Sequence, residues 1–159
     1  MSSSEVALII SIFSVGQMIF SPFVGTLKSK IGGKNSIICG FFMMIATSIG
    51  LGMLSLIAYP DNFKYVGVIT RFLQGVGYVF LQVTCYSIIT NVFKEDMEKY
   101  VTLVEVASML GEGLGPFLGA IVQPYLGYAN TMYLFGIINA FGLLVCIIIT
   151  PSVLNKTIS

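Results

Sequence analysis

Three ionisable side chains interrupt otherwise apolar runs: Arg71, Glu105 and Glu112. Inside a lipid-spanning helix each costs about 3 kcal/mol on insertion scales, and such groups usually face a bundle interior or an aqueous cavity. Arg71 has company. At about 100° per residue, Arg71, Gln74, Tyr78 and Gln82 fall within roughly 80° of one another, while Phe72, Val79, Phe80 and Leu81 lie elsewhere on the helix. A polar stripe along a spanning helix is what a solute pathway needs. Interhelical hydrogen bonding that merely holds a bundle is the bland alternative, but a guanidinium is a costly adhesive.

Glu105 and Glu112 are seven residues apart, which puts them within about 20° on one helix face. Ser108, Gly115 and Gly119 extend that face. At 1.5 Å per residue Glu105 sits about 6 Å from the end of its apolar run and can snorkel, whereas Glu112 lies near the middle. A carboxylate at that depth either pairs with a cation or takes a proton. Both options suit a proton-coupled carrier of cationic solutes; a purely structural Arg71–Glu112 pair is the alternative.

The same run carries Gly111, Gly115 and Gly119, spaced by four, with Pro116 among them. A small-xxx-small ridge lets another helix approach closely, and proline removes one helical hydrogen bond and bends the helix. The pattern predicts a kinked helix–helix contact.

The elements that carry these residues follow from composition. In 159 residues the charged fraction is 9% and the hydrophobic fraction 56%, with mean hydropathy +0.94. Soluble domains carry about 25% charged residues, so a soluble enzyme and a disordered chain are excluded. A net charge of +1 excludes a nucleic-acid binder, which needs a basic surface. The chain reads as an integral membrane protein whose immediate partner is the lipid bilayer.

A spanning helix needs about 20 mostly apolar residues, and five such stretches occur, at 6–27, 36–58, 65–93, 100–126 and 129–150. They are too long and too evenly apolar for β-barrel strands, so the fold class is all-α, in a single partial domain over 1–159. The first run is also longer than a signal peptide's core and lacks its basic leader. The connectors are short: 28–35, 59–64, 94–99 and Gly127-Tyr128. Lys28, Lys30, Lys34, Lys94, Lys99 and Lys156 fall on one side and Lys64 on the other. The positive-inside rule then predicts an N-terminus outside or lumenal and a C-terminus in the cytoplasm. With no Trp, interface anchoring falls to Tyr59, Tyr65, Tyr100, Tyr125 and Tyr128.

His is absent, and Cys39, Cys85 and Cys146 are scattered through apolar runs. That spacing offers no zinc site and no disulfide framework, so no metal or cofactor is expected. No nucleophile–base pair or phosphate loop stands out either, since Gly75-x-Gly77 lies inside a span rather than in a strand–turn–helix. An enzyme is not expected.

Three pieces in this order resemble the major facilitator superfamily. Gly25-Thr26-Leu27-Lys28-Ser29-Lys30-Ile31-Gly32-Gly33-Lys34 is similar to the loop between that family's second and third helices, with Gly25, Lys30, Gly32 and Lys34 matching. Ser29 replaces the loop's acid and Gly33 one of its basic residues. Arg71-Phe72-Leu73-Gln74-Gly75-Val76-Gly77 resembles the fourth-helix motif, and Gly111–Gly119, centred on Gly115-Pro116, resembles the fifth-helix antiporter motif. The resemblance implies that the five spans are helices 2–6 of the family's fold, with a first helix and a second half not included. It implies proton-coupled antiport of small organic cations, as in drug/proton antiporters and vesicular amine transporters. Arg71 would support proton coupling, Gly115-Pro116 the bend and the contact with the other half, and the first loop the cytoplasmic gate. A second half or another copy of the chain would complete the site. A non-transporting remnant or helix-packing partner is the alternative.

The orientation is directly testable. With the native cysteines replaced, Ser29→Cys should react with a membrane-impermeant maleimide only after the membrane is opened, and Asn62→Cys should react in the intact membrane. The reverse pattern would contradict the orientation.

Overall fold

The computed structural model describes residues 3–54 and 60–150. Within them the chain is all helical: α1 (Ser3–Ile31), α2 (Gly33–Met53), α3 (Pro60–Val92) and α4 (Met97–Ile149). Each is long and apolar enough to cross a membrane. The end of the expected second span (55–58), Tyr59 and Lys156 lie outside the described residues.

The pattern predicts five spans, and the structure has four helices among the described residues. The fourth and fifth expected spans are parts of α4. A straight helix of 53 residues would run about 80 Å, far beyond a hydrocarbon core of about 30 Å. The chain avoids this at Gly127, whose φ of 75° and ψ of 168° leave the helical region. Positive φ is open to glycine without a Cβ penalty. The chain turns back there, so that a Cβ on Gly119 would lie 3.9 Å from the Phe135 ring, sixteen residues further on.

The first connector contracts in the same way. Instead of a loop over 28–35, α1 runs on to Ile31 and α2 begins at Gly33. Only Gly32 breaks the helix, at φ 90°. Its N–H still bonds the Lys28 carbonyl at 2.9 Å, and its own carbonyl accepts from Ser36 N–H at 3.1 Å. With nearly all backbone groups satisfied by the helices themselves, the lysines ride on helix ends.

Helix α3 is the centre of the packing. It lies against both α1 and α2, while α2 also packs against α4. Two glycines set those contacts. A Cβ on Gly75 would collide with the Phe13 carbonyl oxygen of α1, and one on Gly16 would come within 2.6 Å of the Phe72 carbonyl oxygen. On the other side, a Cβ on Gly77 would lie 2.9 Å from Met43 Cβ, and one on Gly40 would lie 2.9 Å from the Gly77 oxygen. Residues two apart on a helix differ by about 200° in direction, so Gly75 and Gly77 serve opposite neighbours. Val24, Val76, Val79 and Phe80 fill the space between, with Phe20, Cys39 and Met43 packed on them.

The two legs of α4 differ. The second leg is held to α2: Thr131 and Gly136 are buried, Gly136 faces Ser48, Gly142 faces the Phe41 ring, and Lys34 Nζ donates to the Ile147 carbonyl at 3.2 Å. The first leg, before Gly127, exposes Leu103, Met109, Leu114 and Phe117. Exposed apolar surface of this extent belongs in lipid or against another helix.

Gly75→Ala should therefore destabilise the chain by about 1–3 kcal/mol, the usual cost of overpacking. Gly111→Ala, where a Cβ meets nothing within 4 Å, should be neutral or stabilise by up to about 1 kcal/mol through helix propensity. Thermal unfolding in detergent reads both, and equal effects would contradict the packing described.

Candidate functional site

Between α1, α2, α3 and the two legs of α4 lies a cavity of about 530 Å³. That is within the range of small-molecule sites, about 300–1,000 Å³. Its wall is mostly apolar, from Phe13 on α1 to Met132 and Phe135 on α4, with Ser48, Arg71, Gln74 and Asn139 as its polar members. Among these lining residues Arg71 is the charged one.

Arg71 reaches the cavity because Gly75, one turn further on, is turned toward α1. Its half-buried guanidinium donates from Nη1 to Gln74 Oε1 at 2.9 Å, one turn along α3. Tyr128, placed by sequence at an interface, sits beside the Gly127 turn within electrostatic range of Arg71. Arginine carries five N–H donors, and the Gln74 amide oxygen accepts from one of them.

The rest of the predicted stripe divides into separate clusters. Tyr78 OH donates to Glu112 Oε1 at 3.4 Å, with Ser108 also at the Tyr78 hydroxyl and the Phe13 ring 5.9 Å away between centroids. Gln82 Nε2 donates to Tyr86 OH at 3.4 Å, one turn along α3. Glu105 is exposed on α4 and joins neither cluster. Arg71 and Glu112 are not joined by an ion pair among the described residues; each is met by a neutral partner.

On the first leg of α4, Gly111, Gly115, Pro116 and Gly119 line the cavity. A Cβ on Gly111 or Gly115 would meet nothing within 4 Å, so the ridge is open in this chain. Pro116, lacking an N–H, leaves the carbonyl of Glu112 without its helical donor. The small residues leave room for a solute or a further helix.

Of the loop residues, Gly32 makes the break between α1 and α2, and Lys34 reaches the end of α4. Lys30 is exposed and Gly25 faces open space. The neighbouring Lys28 donates to the Ser87 hydroxyl and joins α1 to α3. Asn91 Nδ2 bonds the same hydroxyl at 3.3 Å.

Sequence reasoning passed over Asn139, although an amide in the middle of an apolar run was a visible signal. Ser48 and Met44 carried no such signal. Small hydroxyls and methionines are ordinary in apolar helices, and only the packing of α2 against α4 brings these two to the wall.

Comparison with known proteins agrees with this architecture. The family profile described as the Major Facilitator Superfamily matches residues 1–158, so the chain belongs to that superfamily of carriers and is an integral, multi-pass membrane protein. The human synaptic vesicular amine transporter is 26% identical over 125 residues, covering 77% of this chain and 23% of that protein. Citrate exporter 1 of Aspergillus niger is 26% identical over 157 residues, covering 97% of this chain and 28% of the exporter. An uncharacterized MFS-type transporter of Methanocaldococcus jannaschii is 27% identical over 145 residues, covering 91% of this chain and 35% of that protein. This chain thus spans about a quarter to a third of the length of these relatives. No solved structure gives a significant match.

If the cavity admits water, Gln74→Cys and Asn139→Cys in a background without native cysteines should be modified by a charged methanethiosulfonate reagent. Ile148→Cys, on a residue 74% exposed to what would be lipid, should react far more slowly. Equal rates at all three would contradict an aqueous cavity.

Proposed function

We propose that this chain contributes the solute-binding part of a proton-coupled secondary carrier. The observation that carries the reading is the cavity itself: a space of about 530 Å³ among four apolar helices, with Arg71 and Gln74 on its wall. In such carriers the solute site lies near the midplane between repeats that rock against each other. The open side of this cavity, along Gly111 and Gly115, is where a second transporter half or another copy would stand. The orientation is N-terminus outside and C-terminus in the cytoplasm, supported by the lysine distribution. The five expected runs then correspond to family helices 2–6, with α4 supplying two of them across Gly127.

Glu112 is the proton site of this proposal. It sits in the middle of an apolar leg, near Tyr78, at a depth where ionisable residues are rare and usually functional. Arg71 holds positive charge on the solute path, and Lys30, Gly32 and Lys34 belong to the gate.

Two solute classes have support. The motif resemblance and the vesicular amine transporter likeness favour small organic cations, the amines and drugs of proton antiport. The citrate exporter likeness covers more of this chain and favours an organic acid. One feature of the geometry supports the acid: the charged residue on the cavity wall is a cation.

Proton coupling has a direct test whichever solute is carried. In vesicles containing the complete carrier, Glu112→Gln should abolish the pH dependence of uptake while leaving expression intact. Uptake that keeps its full pH dependence in this variant would contradict the role of Glu112.

A further inference from the structure

Between Glu5 and Asp61 the sequence has no carboxylate, yet Lys28, Lys30 and Lys34 crowd the corner where α1 passes into α2. Ser29 stands where the matched loop carries an acid, and its hydroxyl donates to the Thr26 carbonyl at 2.7 Å. Lys34 is also badly placed for its own helix. It follows Gly33 at the start of α2, where the helix dipole disfavours a cation.

Both Lys28 and Lys34 find neutral acceptors on other helices. Lys34 Nζ donates to the Ile147 carbonyl at 3.2 Å, in the last turn of α4. That carbonyl has no helical donor, because the residue four further on is Pro151, which lacks an N–H. It also lies at the negative end of the α4 dipole, which favours a cation. Lys28 donates to the Ser87 hydroxyl on α3. Asn91 Nδ2 bonds the same hydroxyl at 3.3 Å and the Ser87 carbonyl at 2.7 Å. The hydroxyl oxygen, with two lone pairs, thus accepts from both side chains. Only Gly32 separates the two helices that carry these lysines, so little slack lies between the two tethers.

We infer that the α1–α2 corner is a clamp, with Lys28 holding the end of α3 and Lys34 the end of α4, so that the helices of this half move together there. Both lysines are positioning residues, and Lys28 stands at none of the loop positions matched above. Lys34 thereby has a partner inside this half, and the corner is a rigid part of the half rather than a hinge. The effect on transport rests on the reading of this corner as part of a gate.

Native Cys146 immediately precedes Ile147 and reports on the α4 tether. In the full chain in nanodiscs, with Cys39 and Cys85 replaced by alanine, Lys34→Met should speed modification of Cys146 by N-ethylmaleimide about 10-fold, the order expected for losing a hydrogen bond to a charged group. Lys34→Arg should keep most of the protection, and Lys28→Met should leave the rate unchanged. Thermal unfolding reads the α3 tether. Lys28→Met and Ser87→Ala should each lower the Tm, and the double variant should fall no further than the worse of the two, since both remove one interaction. In vesicles containing the complete carrier, uptake is followed with citrate or tetraethylammonium, whichever the wild type accumulates. Lys28→Met and Lys34→Met should each lower the maximal rate at least about threefold while KM stays within about twofold. Unchanged Cys146 modification in Lys34→Met, or additive losses of Tm, overturns the clamp. Uptake indifferent to both substitutions, or changed only in KM, overturns the positioning role. Accumulation of neither probe by the wild type counts against the proposed function, and the labelling and unfolding results then decide the clamp by themselves.

Discussion

Everything in this chain depends on how closely α3 approaches its two neighbours. In lipid there is little hydrophobic drive for one apolar helix to leave the bilayer for another, so association rests on van der Waals packing, which small residues make intimate. Gly75 against Phe13 and Gly77 against Gly40 bring backbone to backbone on opposite sides of one helix. Val76, Val79 and Phe80 are then buried, and α1, α3 and α2 form a fixed wall. The arginine-and-glutamine turn at Arg71 and Gln74 precedes these glycines by one helical turn, so the contacts that lock the helix also aim the polar pair.

Against that fixed wall stands a loosely attached one. The first leg of α4 touches α3 through the hydroxyl of Tyr78 and the carboxylate of Glu112, and its glycines face open space. Its second leg is anchored on α2 through Gly136 and Gly142. The turn at Gly127 joins the two. The cavity is thus bounded by one densely packed side and one weakly held side, and local opening is expected first at the weak one.

The parts legible in sequence were those set by one helix alone. Helical periodicity put Arg71 and Gln74 on one face, and the glycine spacing marked 111, 115 and 119 as a surface needing small residues. The contacts made between helices were not legible. Gly75 stood out as part of a motif, but its collision partner is a carbonyl of Phe13, fixed only by the register of α1. Arg71 and Glu112 suggested a pair by charge; in the fold each meets a neutral group. Helix ends were misjudged for a common reason: apolarity marks where lipid begins, whereas hydrogen bonding decides where a helix stops. The helices at 28–35 run past the apolar limit until Gly32 takes a positive φ, and 97–149 is interrupted only where Gly127 does so.

The division between a fixed and a loose wall is best measured by amide hydrogen exchange on the full chain in nanodiscs, resolved by peptide. Exchange reports the free energy of local opening, so the backbone from Gly75 to Phe80 should be the slowest in the protein. The stretch from Glu105 to Gly119 should exchange faster by at least about tenfold. Protection of that stretch equal to or greater than that of the α3 centre would contradict the account, since both would then belong to one rigid unit.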